Sequence, residues 1–432
     1  MSGKEQSTPA GARADLRARA REERAEAQLR SLELFGMRFG LDRMRRMMTV
    51  LGSPERSFEA VHVLGTNGKS STTRMTAAIL ERHGLRTGAY LSPHLVSYRE
   101  RVLVDEREMD PDGFADAVSR AVWAAERVNR TLAGEDHVTQ FELLTAAAFW
   151  HMGQAGVEVA VVEAGLGGRY DATSVLDAPV TVLTNVGLEH TRWLGPTVRH
   201  IAEEKLAALA EDAVLVLGAD LDGQPLAVAG RVAAERGARI VRAEAPEQGL
   251  ALRANGNFQQ LNFALARAAA GAYLEHAGVP VREQAVVQAA AATEVRGRLQ
   301  VLAEDPLTIL DGAHNPHAVS SLLGSLPALV GERPLALVLG VLEDKDAVAM
   351  LERLLSGAQR AWFVAPPSPR ALPPATLSSL ARQLGFSAAE SGSGTIEALA
   401  AARRWAREHD GAVLVTGSVY LVGEVLSEGL EG

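Results

Sequence analysis

The chain of 432 residues contains no cysteine, which removes disulfides, thiolate catalysis and cysteine-ligated metals from consideration. Positive charge is not in excess either: 44 Lys and Arg stand against 53 Asp and Glu, for a net charge of −9. With a pI near 5.7, there is no overall basic field to attract nucleic acid or anionic lipid. No run approaches the ~18 uninterrupted apolar residues of a membrane span. The first thirty residues, MSGKEQSTPAGARADLRARAREERAEAQLR, are Arg-rich but carry several Glu and Asp and lack an apolar stretch. That composition argues against a secretory signal and an organellar transit peptide. It reads as a disordered start followed by a charged helix. Hydrophobic residues at 47% and charged ones at 22% are ordinary for a globular protein, and the length suits two domains, or three. A cytoplasmic enzyme is the expectation.

Short apolar runs alternate with longer helical stretches, the pattern of a parallel sheet covered by helices. Strands are expected at AVHVLG (60–65), RTGAYLS (86–92), VEVAVVEAG (157–165), PVTVLTNVG (179–187) and AVLVLG (213–218). Helices fall between them, among them SSTTRMTAAILERHG and FELLTAAAFWHMGQAG, the latter closing at a C-cap Gly156. An Ala-rich helix over 258–278 follows. A new series then begins after about residue 297: LTILDGA (307–313), PLALVLGV (334–341), RAWFVAPP (360–367) and GAVLVTGS (411–418). It marks a second, smaller α/β domain, in which SGSGT (391–395) is a loop and not a boundary.

One further absence concerns VHVLGTNGKSST (61–72). Gly68-Lys69-Ser70 resembles the end of a phosphate-gripping loop, yet the glycine that the usual spacing wants five residues earlier is replaced by Val63. Taken alone, the tripeptide could be a turn and a helix cap. In open α/β sheets, however, ligands bind beyond the carboxyl ends of strands, and this chain repeats the pattern. The first run is followed by Thr66-Asn67-Gly68-Lys69-Ser70-Ser71 opening into a helix, where free N–H groups and the dipole can hold phosphate. Ser92 follows the second. Glu163 ends a continuous apolar strand, with three glycines, Arg169 and Asp171 behind it, and Asn185, Glu189 and His190 follow another. Hydroxyls and carboxylates suit Mg²⁺, which usually takes one or two protein carboxylates plus nucleotide phosphates. Individually, Glu163 could cap a glycine-rich loop, His190 could be a surface histidine and Ser92 a turn residue. Four such groups at four strand ends argue for a nucleotide site with a shortened loop.

GTNGKSST, SPHLVSYRERV, FELLTAAAF, VEAGLGGRYDATSV, HTRWLGPTVRHIAEEK, DGAHNPHA and VTGSVYLVGEV together resemble the successive motifs of the folylpolyglutamate synthase/dihydrofolate synthase family. That family is one branch of the Mur-type ATP-dependent amide ligases. The likeness runs from about residue 31 to 426, with the motifs in family order. It implies an α/β fold: an N-terminal P-loop (mononucleotide-binding) parallel-sheet ligase domain over 31–297, and a smaller C-terminal Rossmann-like ligase domain over 298–432. Residues 1–30, disordered or helical, find no counterpart in the family pattern. The implied reaction converts a pterin carboxylate and ATP to an acyl phosphate, from which the amino group of L-glutamate displaces phosphate. The carboxylate belongs to dihydropteroate, to reduced folates, or to both.

The resemblance also implies site residues. Gly65, Thr66, Asn67, Gly68, Lys69 and Ser70 or Ser71 would hold the ATP phosphates. Ser92 and Glu163 would ligand one Mg²⁺, and Glu163 with His190 a second. Lys205, which alone reads as one more charge on a helix, matches a lysine that family members carry as a carbamate. Lys69, Glu163, His190 and Lys205 are thus the expected catalytic set. Arg298, Asp311 and His314 would reach the nucleotide from the second domain, and Asn257 and Gln259 match a segment near the adenine. Phe141, Glu142, Arg169 and Asp171 lie in motifs lining the pterin and metal region.

The chain departs from the family where Ser70 replaces the usual glycine after the loop lysine, and where Arg296 replaces the usual proline at the domain junction. Two other readings stay open. A Mur-type ligase for a different carboxylate and amine would normally carry a further N-terminal substrate domain, for which the residues before the loop are few. A nucleotide-binding switch ATPase would not need the second-domain motifs. The family implies a monomer with small-molecule substrates and no nucleic-acid or membrane partner.

Overall fold

The computed structural model describes residues 9–32, 40–134, 136–247 and 249–429. Its first sheet contains β1 (Glu59–Leu64), β2 (Thr87–Tyr90), β3 (Val102–Val104), β4 (Arg107–Glu108), β5 (Val159–Glu163), β6 (Val180–Leu183), β7 (Val214–Leu217) and β8 (Arg239–Arg242). They lie in the order β4-β3-β2-β5-β1-β6-β7-β8. All neighbours are parallel except β2–β3 and β3–β4. The second sheet contains β9 (Gln300–Glu304), β10 (Leu307–Leu310), β11 (Leu335–Leu339), β12 (Arg360–Phe363), β13 (Ala389–Ser391) and β14 (Ala412–Thr416), ordered β13-β12-β11-β14-β10-β9. Only β9 runs antiparallel there.

The central strands are apolar without alternation because both faces are covered. In β5, Val159 and Val161 face a core shared with the helices Lys69–Arg82 and Asn257–His276. Ala160 and Val162 face the other core, beneath the helices Pro111–Asn129 and Gln140–Gln154. The same division recurs in β11, where Leu337 and Leu339 serve one core of the second domain and Ala336 and Val338 the other. Alanines line the contact between Lys69–Arg82 and Asn257–His276 (Ala77, Ala78, Ala266, Ala269 and Ala270). Their small side chains let the two helices pack closely beside the loop that follows β1.

Every strand expected from the sequence is present, trimmed at its ends. Those not expected are β3, β4, β8, β9 and β13. All five lie at or near a sheet edge, and β8 reads Arg-Ile-Val-Arg with its first two residues exposed, so no apolar run announces it. The N-terminal extension forms a helix over Pro9–Arg30, with Ala25 and Leu29 buried in the core that contains Phe114 and Phe149. The disordered start expected for the first residues falls on positions outside the described ones.

Candidate active site

β1 ends at Leu64, and the loop Gly65–Gly68 leads straight into the helix Lys69–Arg82. Val63 is therefore part of the buried strand, and the loop is short because its neighbour pins it. The Thr66 amide donates to the Asn185 carbonyl at 3.0 Å, and the Asn67 amide to Asn185 Oδ1 at 2.9 Å. Thr184 Oγ1 donates to the Asn67 carbonyl at 2.7 Å. Two glycines are required by this closeness. A Cβ on Gly65 (φ +148°) would sit 1.8 Å from Thr184 Oγ1, and one on Gly68 (φ +81°) 2.4 Å from Asn262 Oδ1. Lys69 Nζ curls back to the Thr66 carbonyl at 3.2 Å.

Glu163, at the end of β5, is buried beside this loop. Its carboxylate accepts from the Ser92 amide at 3.1 Å and from the Ser70 side chain. Burial pushes its carboxyl above the ordinary value, against the pull of Lys69, Ser70, Ser92 and Arg298. A buried carboxylate in that condition gains from a further cation. His190 follows β6 in a left-handed conformation (φ +51°). Burial lowers its pKa to about 4; Glu189 opposes the shift, and Lys345 and Lys69 add to it, so the ring is neutral at pH 7. Lys205 is buried on the helix Val198–Leu206, with Nζ donating to the Gly65 carbonyl at 2.7 Å. Burial, helped by the charge of Lys69, brings its amine down to about 7. Gly168 allows this helix to approach, since a Cβ there would meet the Lys205 carbonyl oxygen at 2.1 Å.

The second domain closes over these groups. Asn315 Nδ2 donates to Asn67 Oδ1 at 3.0 Å, and Asn67 Nδ2 donates to His317 Nδ1 at 3.0 Å. Glu189 Oε1 lies 3.1 Å from Lys345 Nζ, 3.5 Å from His314 Nε2 and 3.7 Å from His190 Nε2. Burial would raise the Glu189 carboxyl, but His314, Lys345 and His190 hold it well below the carboxylate range. Asp311 is buried and accepts from the amides of Leu299 and Ala313 at 2.9 and 2.8 Å, which fixes the turn presenting His314.

Two cavities result. One, of about 240 Å³, is lined by the loop 66–71, Glu163, Asn185, Phe258, Asn262, Arg298 and Asp311, among others. The other, of about 330 Å³, is lined by Arg43, Arg101, Gln140, Phe141, Lys345 and Tyr420, among others. Ser92, Pro93, Gly165, His190 and His314 line both. The shared wall lies where the polar strand ends converge.

Most of the residues expected from the sequence meet in this cleft, but Gly65, Arg169, Lys205, Asn257 and Gln259 are not among those that line it. Asn257 is exposed and its backbone amide bonds Ser325 Oγ. Gln259 is fully buried, with Oε1 accepting from Asn262 Nδ2 at 2.9 Å. They lie on another face of the same turn, and Phe258 and Asn262 line the cavity instead. Glu142 serves structure. It caps the helix Gln140–Gln154 and holds Arg43 at 3.0 and 3.1 Å. Asp171 organises its own loop through Leu166 and Thr173, and Arg169 pairs with Glu204. Asn315, His317 and Lys345 did not stand out in the sequence. The first two lie within the motif DGAHNPHA but carry no assigned role there, whereas Lys345 follows an apolar strand by six residues, so only the rule of polar groups after strand ends could have flagged it.

Residues 63–229 match the Mur ligase middle domain, and residues 297–419 the Mur ligase, glutamate ligase domain. The chain is 32% identical over 410 residues to a folylpolyglutamate synthase of Lacticaseibacillus casei, with 88% of this chain and 93% of the relative covered. It is 35% identical over 399 residues to a dihydrofolate synthase/folylpolyglutamate synthase of Escherichia coli, with 90% of each covered. Among solved structures it is similar to Mycobacterium tuberculosis folylpolyglutamate synthase complexed with ADP, at a TM-score of 0.88 and 29% identity over 96% of this chain and 99% of that one.

Proposed function

The chain belongs to the folylpolyglutamate synthase/dihydrofolate synthase family of Mur ligases, and from that premise we propose that it joins L-glutamate to dihydropteroate, to reduced folates, or to both, at the expense of ATP. The observation that carries the reading is the shared wall. A polar cavity built on a phosphate loop meets a larger cavity bordered by Phe141 and Tyr420, and the two share Ser92, His190 and His314. A γ-phosphate in the first would face a carboxylate in the second.

The chain's groups divide the work. The amides of the loop and the helix start cradle the phosphates, and Lys69 swings from the Thr66 carbonyl onto them. An oxygen of the pterin carboxylate attacks the γ-phosphorus, ADP leaves, and an acyl phosphate forms. The glutamate amine then attacks the acyl carbon, phosphate departs, and the amine proton is released. Positioning and charge neutralisation dominate such transfers, and Arg298, Lys345 and Lys69 provide the neutralisation.

Ser70, Ser92, Glu163 and neutral His190 fit Mg²⁺. The described residues gather no cage of three or more His, Asp or Glu side chains, and Mg²⁺ prefers such an open site, completed by phosphates and water. Bound there, it would offset the charge that develops on the transferring phosphoryl group. Ser70, hydrogen-bonded to Glu163, is the serine assigned to the ion. The Lys205 amine, brought to about 7, is neutral often enough at physiological pH to add CO₂ and lose a proton, which would give the carbamate. Labelling with ¹³C-enriched CO₂ should produce a carbamate resonance that is absent from Lys205→Ala.

The reading extends to a monomeric cytoplasmic enzyme; among the described residues no helix is long and apolar enough to cross a membrane. The testing experiment offers dihydropteroate and tetrahydrofolate separately, with ATP, Mg²⁺ and labelled glutamate. Incorporation with both establishes two activities and with one alone selects between them. ATP hydrolysis without any incorporation returns the chain to a switch or to another Mur-type substrate.

A further inference from the structure

The helix Pro9–Arg30, which the family motifs do not account for, buries Ala25 and Leu29 in the core and makes polar contacts of two kinds. Arg21 pairs with Asp112 and Asp116 on the neighbouring helix Pro111–Asn129, at the exposed surface. The others reach elements that border the acceptor cavity. Glu22 Oε1 accepts from Arg99 Nε at 2.6 Å, with the Glu22 side chain only 16% exposed. The Leu29 carbonyl accepts from Gln140 Nε2 at 2.8 Å, in a buried setting.

Arg99 and Tyr98 belong to the loop 92–101, a body with its own internal bonds. The Glu100 carboxylate accepts from the amides of Leu95, Val96 and Ser97. Arg101 Nε donates to His94 Nδ1 at 2.9 Å, and the His94 ring rests on Tyr98 with 4.2 Å between centroids. The loop's other side abuts the second domain, where a Cβ on Gly423 would meet the Leu95 carbonyl oxygen at 2.0 Å. Ser92, Pro93 and Arg101 at its two ends line the acceptor cavity, as do Gln140 and Phe141. Two segments of that wall, 92–101 and the helix start at Gln140, are therefore held from behind by the same helix.

We propose that the N-terminal helix is a positioning element of the acceptor cavity, acting through Glu22 on Arg99 and through the Leu29 carbonyl on Gln140. Glu22 is its positioning residue. The ion pair spans elements 77 residues apart in sequence, and losing it frees the loop while leaving the phosphate loop untouched. The inference rests on the ligase reading for its kinetic consequence and stands apart from it for its structural one.

Deleting the helix would strip Ala25 and Leu29 from the core, so the test uses side-chain variants of the full chain. In Glu22→Gln the KM for the pterin acceptor should rise about fivefold, with kcat and the KM for ATP each within about twofold of the parent. Arg21→Gln removes the contact that does not touch the loop, and should leave the acceptor KM unchanged. Glu22→Gln combined with Arg99→Gln should match Arg99→Gln alone. Hydrogen exchange at the amides of residues 95–101, measured without substrate, should quicken in Glu22→Gln and not in Arg21→Gln. An unchanged acceptor KM in Glu22→Gln, an equal rise in Arg21→Gln, or additive effects in the double variant each overturn the proposal. If the parent protein incorporates no glutamate at all, the ligase reading fails, and the exchange measurement still decides whether the helix holds the loop.

Discussion

In the nucleotide cavity the polar groups follow strands: residues 66–71 after β1, Asn185 after β6, Asp311 after β10. Each is within a few residues of a buried, parallel-paired segment, and backbone bonds such as Thr66 to Asn185 set its place. The acceptor cavity is assembled differently. Arg43 comes from the helix Asp42–Leu51, Gln140 and Phe141 from a helix start, Arg101 from the end of a loop, and Tyr420 from the second domain. Its geometry depends on side-chain packing across three layers. Substitutions in the first cavity should therefore strike chemistry and spare stability, whereas those in the second should strike stability or acceptor affinity.

The sharpest test of the first half is Lys69→Ala. Lys69 is part-buried at the start of its helix, with Nζ bonded to the Thr66 backbone carbonyl, so no core is disturbed. Turnover should fall by about 10³ to 10⁴, with the thermal midpoint unchanged. Turnover near that of the parent would remove the phosphate role, and with it the contrast. For the second half the matching change is Glu142→Leu. Glu142 and Arg43 are both more than nine-tenths buried, and removing Glu142 takes two charge-assisted hydrogen bonds and a helix cap away from this buried pair, while Arg43 keeps its contact with Asp136 at 3.1 Å. Chemical denaturation should show a loss of about 3 to 5 kcal/mol, with the ATP KM unaffected in whatever protein remains folded. Arg43→Met made together with Glu142→Leu should recover part of that loss.

The same contrast explains what could be read from the chain. β1, β5 and β6 are legible because a strand buried on both faces must be a short apolar run, and the groups that follow it are drawn to the strand-end crevice. Lys69, Glu163 and His190 were found in this way. Lys205 was not, since its burial depends on Gly168 letting its helix settle against the loop, a contact between segments with no shared periodicity. Asn257 and Gln259 show the limit of motif matching. The motif lies in the correct helical turn, yet the face presented to the cavity is that of Phe258 and Asn262. The edge strands β8 and β9 escaped because exposure leaves their composition mixed.

His62 gives a third, smaller effect that links the two halves. It sits on β1 with Nε2 2.8 Å from Thr173 Oγ1, in the loop below the acceptor cavity. Thr173 Oγ1 donates to Asp171 Oδ1, so His62 must be the donor, protonated at Nε2 and bare at Nδ1. Burial lowers its pKa from 6.5 to about 4. Between those values the unfolded chain holds a proton that the native chain does not, so stability falls as pH drops through that window. The expected loss from this one group is about 3 kcal/mol by pH 4. Denaturation curves of His62→Gln, which keeps a donor without a titrating ring, should lose that part of the slope.

The smallest expected effect is at the shared wall, where the two construction schemes meet. Glu189 stands after β6, and Lys345 arrives from the second domain 3.1 Å away, both nearly nine-tenths buried. The pair is the clearest charge contact between the domains, and it sits between His190 and His314. If it serves closure, Lys345→Ala and Glu189→Gln should each lower kcat/KM about tenfold, and the double variant should be no worse than either single one, because both remove the same contact. Charge alone would give a different pattern. Lys345 also lines the acceptor cavity, so if its ammonium acts mainly on the acceptor, Lys345→Ala should exceed Glu189→Gln and the two effects should add. A kinetic cycle over both substrates separates these outcomes, since loss of closure lowers kcat/KM for ATP and acceptor alike, whereas a lost acceptor contact leaves ATP unchanged.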